Sequence, residues 1–304
     1  MGETRLLPSP ADLTALLGDR TVVLTGAGLS TDSGIPDYRG PGAPARRPMT
    51  YQEFVATPDQ QRRYWARAHV GWSRMGDAEP NQGHRALARL EALGRVPFLI
   101  TQNVDGLHER AGHRAMVALH GRVSEVVCLD CGGRTPRSAM QRRLGGLNPG
   151  WAEQHADVAS RPDGDVALEE TAGFVVPACE GCEGRLKPHV VFFGENVPKD
   201  RVARCYAALD AADSLLVAGS SLTVMSGLRF VRYAAKAGLP VVIVNRGATR
   251  GDDLAHVKVE AGTSEWLDAW AEQAAGTPQG GGAGSGGRDE DVLGGLEHDL
   301  GRLA

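Results

Sequence analysis

The chain has 304 residues, of which 42% are apolar, enough for one large domain or one and a half with a real core. A formal net charge of -4 gives no basic footprint for sequence-independent nucleic-acid binding, and no apolar run is long enough to cross a bilayer. Five cysteines are too few for a disulfide scaffold in a chain this long, and Met1-Gly2-Glu3-Thr4-Arg5 has neither the basic region nor the apolar stretch of a secretory signal. The expectation is a soluble, cytoplasmic protein.

Taken in order, Ser9-Pro10 before Ala11 to Leu17, then Gly18, predicts a short helix with a cap, a proline in its first turn and a glycine stop. Thr21 to Leu24 reads as a buried strand running straight into Thr25-Gly26-Ala27-Gly28-Leu29-Ser30-Thr31. Glycines at such a junction let backbone amides close on a phosphate at the start of the next helix, although many α/β proteins use one merely to turn. The third glycine of the usual dinucleotide fingerprint is missing, and so is the acidic residue at the downstream strand end. If a dinucleotide binds here, it is not held as in ordinary dehydrogenases. Gly34-Ile35-Pro36-Asp37-Tyr38-Arg39-Gly40 is either a surface loop or a lid over that turn, with Arg39 offering its fork to pyrophosphate. Residues 41 to 48 continue as coil rich in Pro, Gly and Arg.

From Thr50 to about Met75 the pattern is helical, and Tyr51, Phe54, Val55, Tyr64, Trp65, Val70 and Trp72 read mostly as core. Tyr64 and Arg67, three apart, share a helix face and are candidates for meeting a substrate carboxylate; a solvated arginine beside a packed tyrosine is the commoner arrangement. Asn81 to Leu93 predicts another helix, leading to the buried strand Phe98 to Thr101. That strand ends in Thr101-Gln102-Asn103-Val104-Asp105-Gly106-Leu107-His108, with His120-Gly121 close behind. Amides, a carboxylate and two imidazoles are thereby sent to the carboxyl edge of a sheet, where open α/β folds bind ligands.

Cys128-Leu129-Asp130-Cys131 and Cys179-Glu180-Gly181-Cys182, each with a glycine within two residues behind it (Gly132, Gly184), are two knuckles of the kind that hold tetrahedral zinc. A redox role is the alternative, but redox pairs usually come singly at a helix start. Four sulfur ligands leave no open position, so the zinc is expected to be structural. Between the pairs lie a basic helix, Arg134 to Leu144, and a polar, acidic loop from Asn148 to Glu170. The apolar Lys187-to-Glu195 segment then returns to the main domain. Val202 to Ala211 is a helix with Cys205 as plain core, and Ser214 to Ala218 a strand. Gly219-Ser220-Ser221 is a second phosphate-type turn, Leu228 to Ala237 a helix, and Val241 to Val244 a strand ending in Asn245-Arg246-Gly247. Val257 to Val259 and Ser264 to Ala275 close the domain, and residues 276–304 are a Gly-rich linker and acidic tail.

With these pieces laid out, the chain resembles a sirtuin, closest to the class II branch. The likeness spans about residues 10 to 275 and rests on Gly26-Ala27-Gly28-Leu29-Ser30, Gly34 to Arg39, Thr101 to Asp105, His120-Gly121, both cysteine pairs, Lys187 to Glu195, Gly219-Ser220-Ser221 and Val244-Asn245. It implies an α/β fold, with a Rossmann-like parallel sheet from 1–120 and 187–275 and an inserted zinc module at 121–186. It also implies an NAD-dependent protein-lysine deacylase. By the resemblance, Gly26, Ala27, Gly28, Ser30, Thr31 and Gly219 to Ser221 would cradle phosphates and ribose, with Asp37, Tyr38 and Arg39 on the lid. Gln102, Asn103 and Asp105 would hold the nicotinamide ribose and carboxamide. Asn245 would meet the adenosine ribose, with Arg246, Gly247 and Gly262 nearby. The backbone of Val190, Val191, Phe192, Phe193 and Gly194 would pair with an acyl-lysine protein substrate as an added strand. His120 would act as general base on a ribose hydroxyl. NAD and one zinc ion are the expected ligands, and the expected assembly is a monomer.

Mono-ADP-ribosylation of a protein would use the same site. An NAD-dependent oxidoreductase lacks its ribose-binding acid here, and an inert zinc-ribbon interaction module has no need of His120, Asn103 and Asp105 together. Which acyl group is removed stays open among acetyl, longer and acidic chains.

Overall fold

The computed structural model describes residues 8–38, 48–155, 168 and 170–276. Arg39 of the expected lid, most of the acidic loop and the tail from residue 277 lie outside the described residues. The strands among the described residues are β1 Thr21–Thr25, β2 Phe98–Thr101, β3 Met116–Ala118, β4 Gly121–Cys128, β5 Arg134–Pro136, β6 Leu186–Val190, β7 Ser214–Ala218, β8 Val241–Val244 and β9 Val257–Val259. The helices are α1 Thr14–Leu17, α2 Tyr51–Ala56, α3 Pro58–Asp77, α4 Gln82–Ala92, α5 Leu107–Arg110, α6 Arg137–Leu147, α7 Trp151–Gln154, α8 Lys199–Asp210, α9 Met225–Lys236 and α10 Thr263–Gly276.

Six strands form a parallel sheet in the order β3-β2-β1-β7-β8-β9. Its central strands are continuous apolar runs because helices cover both faces, and alternate side chains go to opposite sides. Val23, Leu99, Leu216 and Val242 pack with Leu17, Leu87, Leu90 and Trp270 from α1, α4 and α10. Val22, Leu24, Ile100, Val217 and Ile243 pack with Leu209, Phe230 and Val231 from α8 and α9. The chain runs outward from β1 to β3 and returns on the far side of β1 as β7. That reversal leaves a crevice at the carboxyl ends of β1 and β7, where neither crossover covers it.

The second layer is an antiparallel sheet, β5-β4-β6. Here the sequence-based boundary needs correcting. Lys187 to Val190 belongs to this small sheet, because β6 finds its hydrogen-bond partners on β4, Cys128 opposite Leu186 and Gly121 opposite Val190. The small core also recruits the helical stretch after Thr50: Phe54, Tyr64 and Trp65 pack with Val126, Met140, Leu144 and Phe192. Two further elements differ from expectation. The helix from Thr50 is two helices, broken where Thr57 turns extended and caps α3 by accepting from the Gln60 amide, with Pro58 in the first turn. The helix placed at Arg134 starts at Arg137, because Arg134 to Pro136 is taken up as an edge strand against β4. No helix among the described residues is long and apolar enough to cross a membrane.

A candidate NAD and acyl-lysine site between the two layers

The crevice is a cleft of about 1010 Å³, a volume suited to an extended ligand. Two glycine turns make its floor. Gly28 donates its amide to the Gly219 carbonyl at 2.9 Å, and Gly26 donates to Ala218 at 3.2 Å. This approach is so close that a Cβ on Gly26 would lie 2.7 Å from Ser220 Cβ. The turn after β1 continues as short 3₁₀ segments, Ala27–Leu29 and Thr31–Ser33, in place of the expected helix. Asn81, the N-cap of α4, steadies that turn by donating its side-chain amide to the Leu29 carbonyl at 2.7 Å.

The polar run after β2 is ordered by its own hydrogen bonds. Thr101 Oγ1 accepts the Asn103 amide at 3.1 Å, so the chain turns into the cleft as soon as the strand ends. Asn103 Nδ2 donates to Ser30 Oγ and to the Gly26 carbonyl, both at 3.0 Å, and Ser30 in turn donates to Asp105 Oδ2 at 2.7 Å. Gln102 Nε2 reaches Ser220 Oγ at 2.8 Å, joining the two turns. Burial pushes the Asp105 carboxyl above its ordinary value, against the Leu107 amide and Ser30 hydroxyl that favour the anion.

His120 sits between β3 and β4. Its placement depends on Gly121 at φ +81°, where a Cβ would lie 2.0 Å from the His189 carbonyl oxygen of β6. Nδ1 lies 2.9 Å from the Gln102 carbonyl oxygen. Burial holds the imidazole down to about 4, so the ring is neutral near pH 7. His108 goes elsewhere: it is buried under the sheet edge, its Nε2 3.0 Å from Thr25 Oγ1 and its ring tilted at 58° against His84. Only one of the two imidazoles therefore reaches the cleft.

Val190, Val191, Phe192, Phe193 and Gly194 line the opposite wall, with Tyr64, Arg67, Asp37 and Tyr38. Several of that segment's backbone groups are engaged by the chain itself. Val191 N donates to the His120 carbonyl, Phe192 N to Glu195, and Phe193 O accepts from Tyr51. Tyr64 is wedged against Phe54 and Phe192, and Arg67 is buried with Nε donating to the Leu168 carbonyl at 2.6 Å. Asn245, Arg246 and Gly247 line the far end of the cleft. Thr31 and Gly262 do not line it: the Thr31 hydroxyl turns back to the Gly28 carbonyl, and Gly262 backs onto Arg246. Met225, Ser226 and Arg229 line the cleft without having been expected there. The nearest signal was the second glycine turn, whose helix begins three residues earlier than its apolar pattern suggests.

In the small layer the sulfurs of Cys128, Cys131, Cys179 and Cys182 all lie within 4.8 Å of one another, with Cys128 to Cys182 at 3.5 Å and Cys131 to Cys179 at 3.9 Å. A tetrahedral zinc–thiolate centre sets sulfurs about 3.8 Å apart, so the four residues fit one zinc with no open position.

A glycine-lined crevice at the switch point of a parallel sheet, faced by a half-buried imidazole and a second layer that carries the four-cysteine cluster, defines a nucleotide-binding fold with a two-sided site. The Sir2 family model matches residues 26–226. An NAD-dependent protein deacetylase 1 of Mycobacterium avium is 54% identical over 268 residues, covering 87% of this chain and 95% of that protein. One of the same name from Streptomyces coelicolor is 53% identical, covering 84% and 87%. Among solved structures, a Sir2 complex with a p53 peptide and NAD+ superposes with a TM-score of 0.69 at 32% identity, covering 86% of this chain and 96% of that one. A Sir2 bound to a propionylated peptide gives 0.65 at 31%, covering 86% and 96%. The chain belongs to the Sir2 family.

Proposed function

We propose that the chain is an NAD-dependent protein-lysine deacylase, consuming NAD and an acyl-lysine protein and releasing nicotinamide, an O-acyl-ADP-ribose and free lysine. The observation that carries this reading is that Ser30, Asn103, Asp105 and His120 converge on one cleft that is closed opposite by Val190 to Gly194. NAD is a substrate, supplying a glycosidic bond whose scission leaves a ribose carbon for the acyl oxygen to capture. The residues do the rest. The turns at Gly26 to Gly28 and Gly219 to Ser221 suit phosphates, and Gln102, Asn103 and Asp105 suit the amide-bearing end. Asn245 and Arg246 suit the adenosine end. His120 carries a free-base imidazole at neutral pH, as a proton acceptor must. Tyr64 and Arg67 would form the inner wall of the acyl pocket.

The four thiols would hold one structural zinc, so that centre takes no part in the chemistry. Cysteine usage supports a reducing, cytoplasmic setting, and the charge balance supports no nucleic-acid partner. Mass spectrometry of the products from NAD and an acetyl-lysine peptide tests the reading. Acyl-ADP-ribose should appear in step with freed lysine; release of lysine without it would sink the proposal.

A further inference from the structure

Both ring nitrogens of His120 are engaged: Nδ1 lies 2.9 Å from the Gln102 carbonyl oxygen and Nε2 lies 2.8 Å from Ser226 Oγ. A carbonyl can only accept, so Nδ1 carries the hydrogen and Nε2 presents its lone pair. Ser226 therefore donates its hydroxyl hydrogen to that lone pair. It is half-buried in the first turn of α9 and faces the cleft. The same turn presses on the residue that orients the ring, since a Cβ on Gly227 would lie 2.6 Å from Gln102 Oε1. The lone pair that the reaction needs is thus capped by a hydroxyl of the chain, at the separation a substrate hydroxyl would have to adopt.

We propose that Ser226 is a catalytic residue that relays the proton to His120. A ribose hydroxyl of the bound dinucleotide bonds to Ser226 Oγ. As the ribose oxygen attacks the acyl-derived carbon, its O–H bond breaks and that proton joins Ser226 Oγ. The former Ser226 O–H bond breaks at the same time, and its proton joins His120 Nε2. The ribose loses one proton, the imidazole gains one, the serine is regenerated, and nothing is oxidised or reduced. This rests on the deacylase reading and adds to it a residue outside the motifs that carry that reading.

Ser226→Ala and Ser226→Thr test it by two readouts. Nicotinamide release does not need the base, so within a single turnover, with enzyme in excess over NAD, the alanine variant should keep its rate within about twofold while acyl-ADP-ribose formation slows about tenfold or more, and threonine should restore most of the loss. In the unliganded protein, the ¹⁵N resonance of His120 Nε2 should move in the alanine variant and return in the threonine variant, with Nδ1 unchanged. Unchanged or faster turnover in Ser226→Ala would overturn the relay. So would an equal loss of both steps, or an unmoved Nε2 resonance. A wild-type chain that releases no nicotinamide would instead refute the deacylase reading and take the relay with it, a result distinct because it shows without any substitution.

Discussion

Replacing Gly219 with alanine should damage the cleft through its floor. Gly219 has φ +65°, and a Cβ there would sit 2.5 Å from Leu29 N and 2.8 Å from Gly28 C. Both obstacles are backbone, so no side chain can swing aside. The left-handed conformation alone costs an L-residue about 1–2 kcal/mol. Restoring ordinary contact needs a shift of about 1 Å, which breaks the Gly28-to-Gly219 hydrogen bond, worth about 1 kcal/mol. Together these predict a loss of about 2–3 kcal/mol and a Tm lower by roughly 5–10 °C in a domain of this size. A 1 Å displacement of a positioning loop also predicts a fall in kcat/KM for NAD of about 10- to 100-fold. Gly238→Ala is the control: its φ is +74°, nothing lies within 4 Å of the added Cβ, and it is remote from the cleft. It should lose only the conformational part, with activity intact. Calorimetry and NAD-dependence kinetics on both variants decide the matter. If Gly219→Ala matches Gly238→Ala in Tm and kcat/KM, the packed-turn argument is wrong.

Cys179→Ala should lower zinc content from one per chain towards zero by atomic absorption and lower Tm, since the four thiols pin the small layer; full zinc content in a stable variant would refute the assignment. Burial holds His84 and His120 down to about 4 and His108 well below 6.5, so the unfolded chain takes up protons that the folded chain refuses. Stability is fully present above about 6.5 and is lost as pH falls towards 4, by roughly 1–2 kcal/mol each for His84 and His120 at pH 5. Urea melts at pH 7.5 and 5.0 should show the lower midpoint at pH 5.0, and an equal or higher one would contradict this. Arg67→Met should lower turnover of a succinyl-lysine peptide relative to an acetyl-lysine peptide if the buried guanidinium reads a carboxylate; an unchanged ratio would exclude that role.

The parallel sheet was legible because β1, β7 and β8 are buried on both faces and therefore continuous apolar runs. The cleft was legible in part because Asn103 and Asp105 stand directly behind a strand end, and topology sends strand ends there. The module boundary was not legible. β6 reads as one more apolar segment, and only its partner β4, some sixty residues back, decides which sheet it joins. Thr57-Pro58 carried a cap signal that helical periodicity across Thr50 to Met75 overrode. His108 matches His120 in type and lies closer to Asn103 in sequence, but the turn of α5 carries its side chain under the sheet edge to Thr25. Ser226 gave no signal of its own beyond the glycine turn before it, because its place beside His120 joins segments 106 residues apart.

The most direct test is to incubate purified protein with NAD and one peptide sequence carrying acetyl-, succinyl-, glutaryl- or lipoyl-lysine, following nicotinamide and peptide mass, beside His120→Ala. The account predicts NAD-dependent loss of at least one acyl group with matching nicotinamide release, and a fall of about 100-fold or more in His120→Ala with fold and zinc retained. Near-normal deacylation by His120→Ala would contradict the role of the imidazole. ADP-ribose found on protein, with every acyl group intact, would contradict the deacylase account itself.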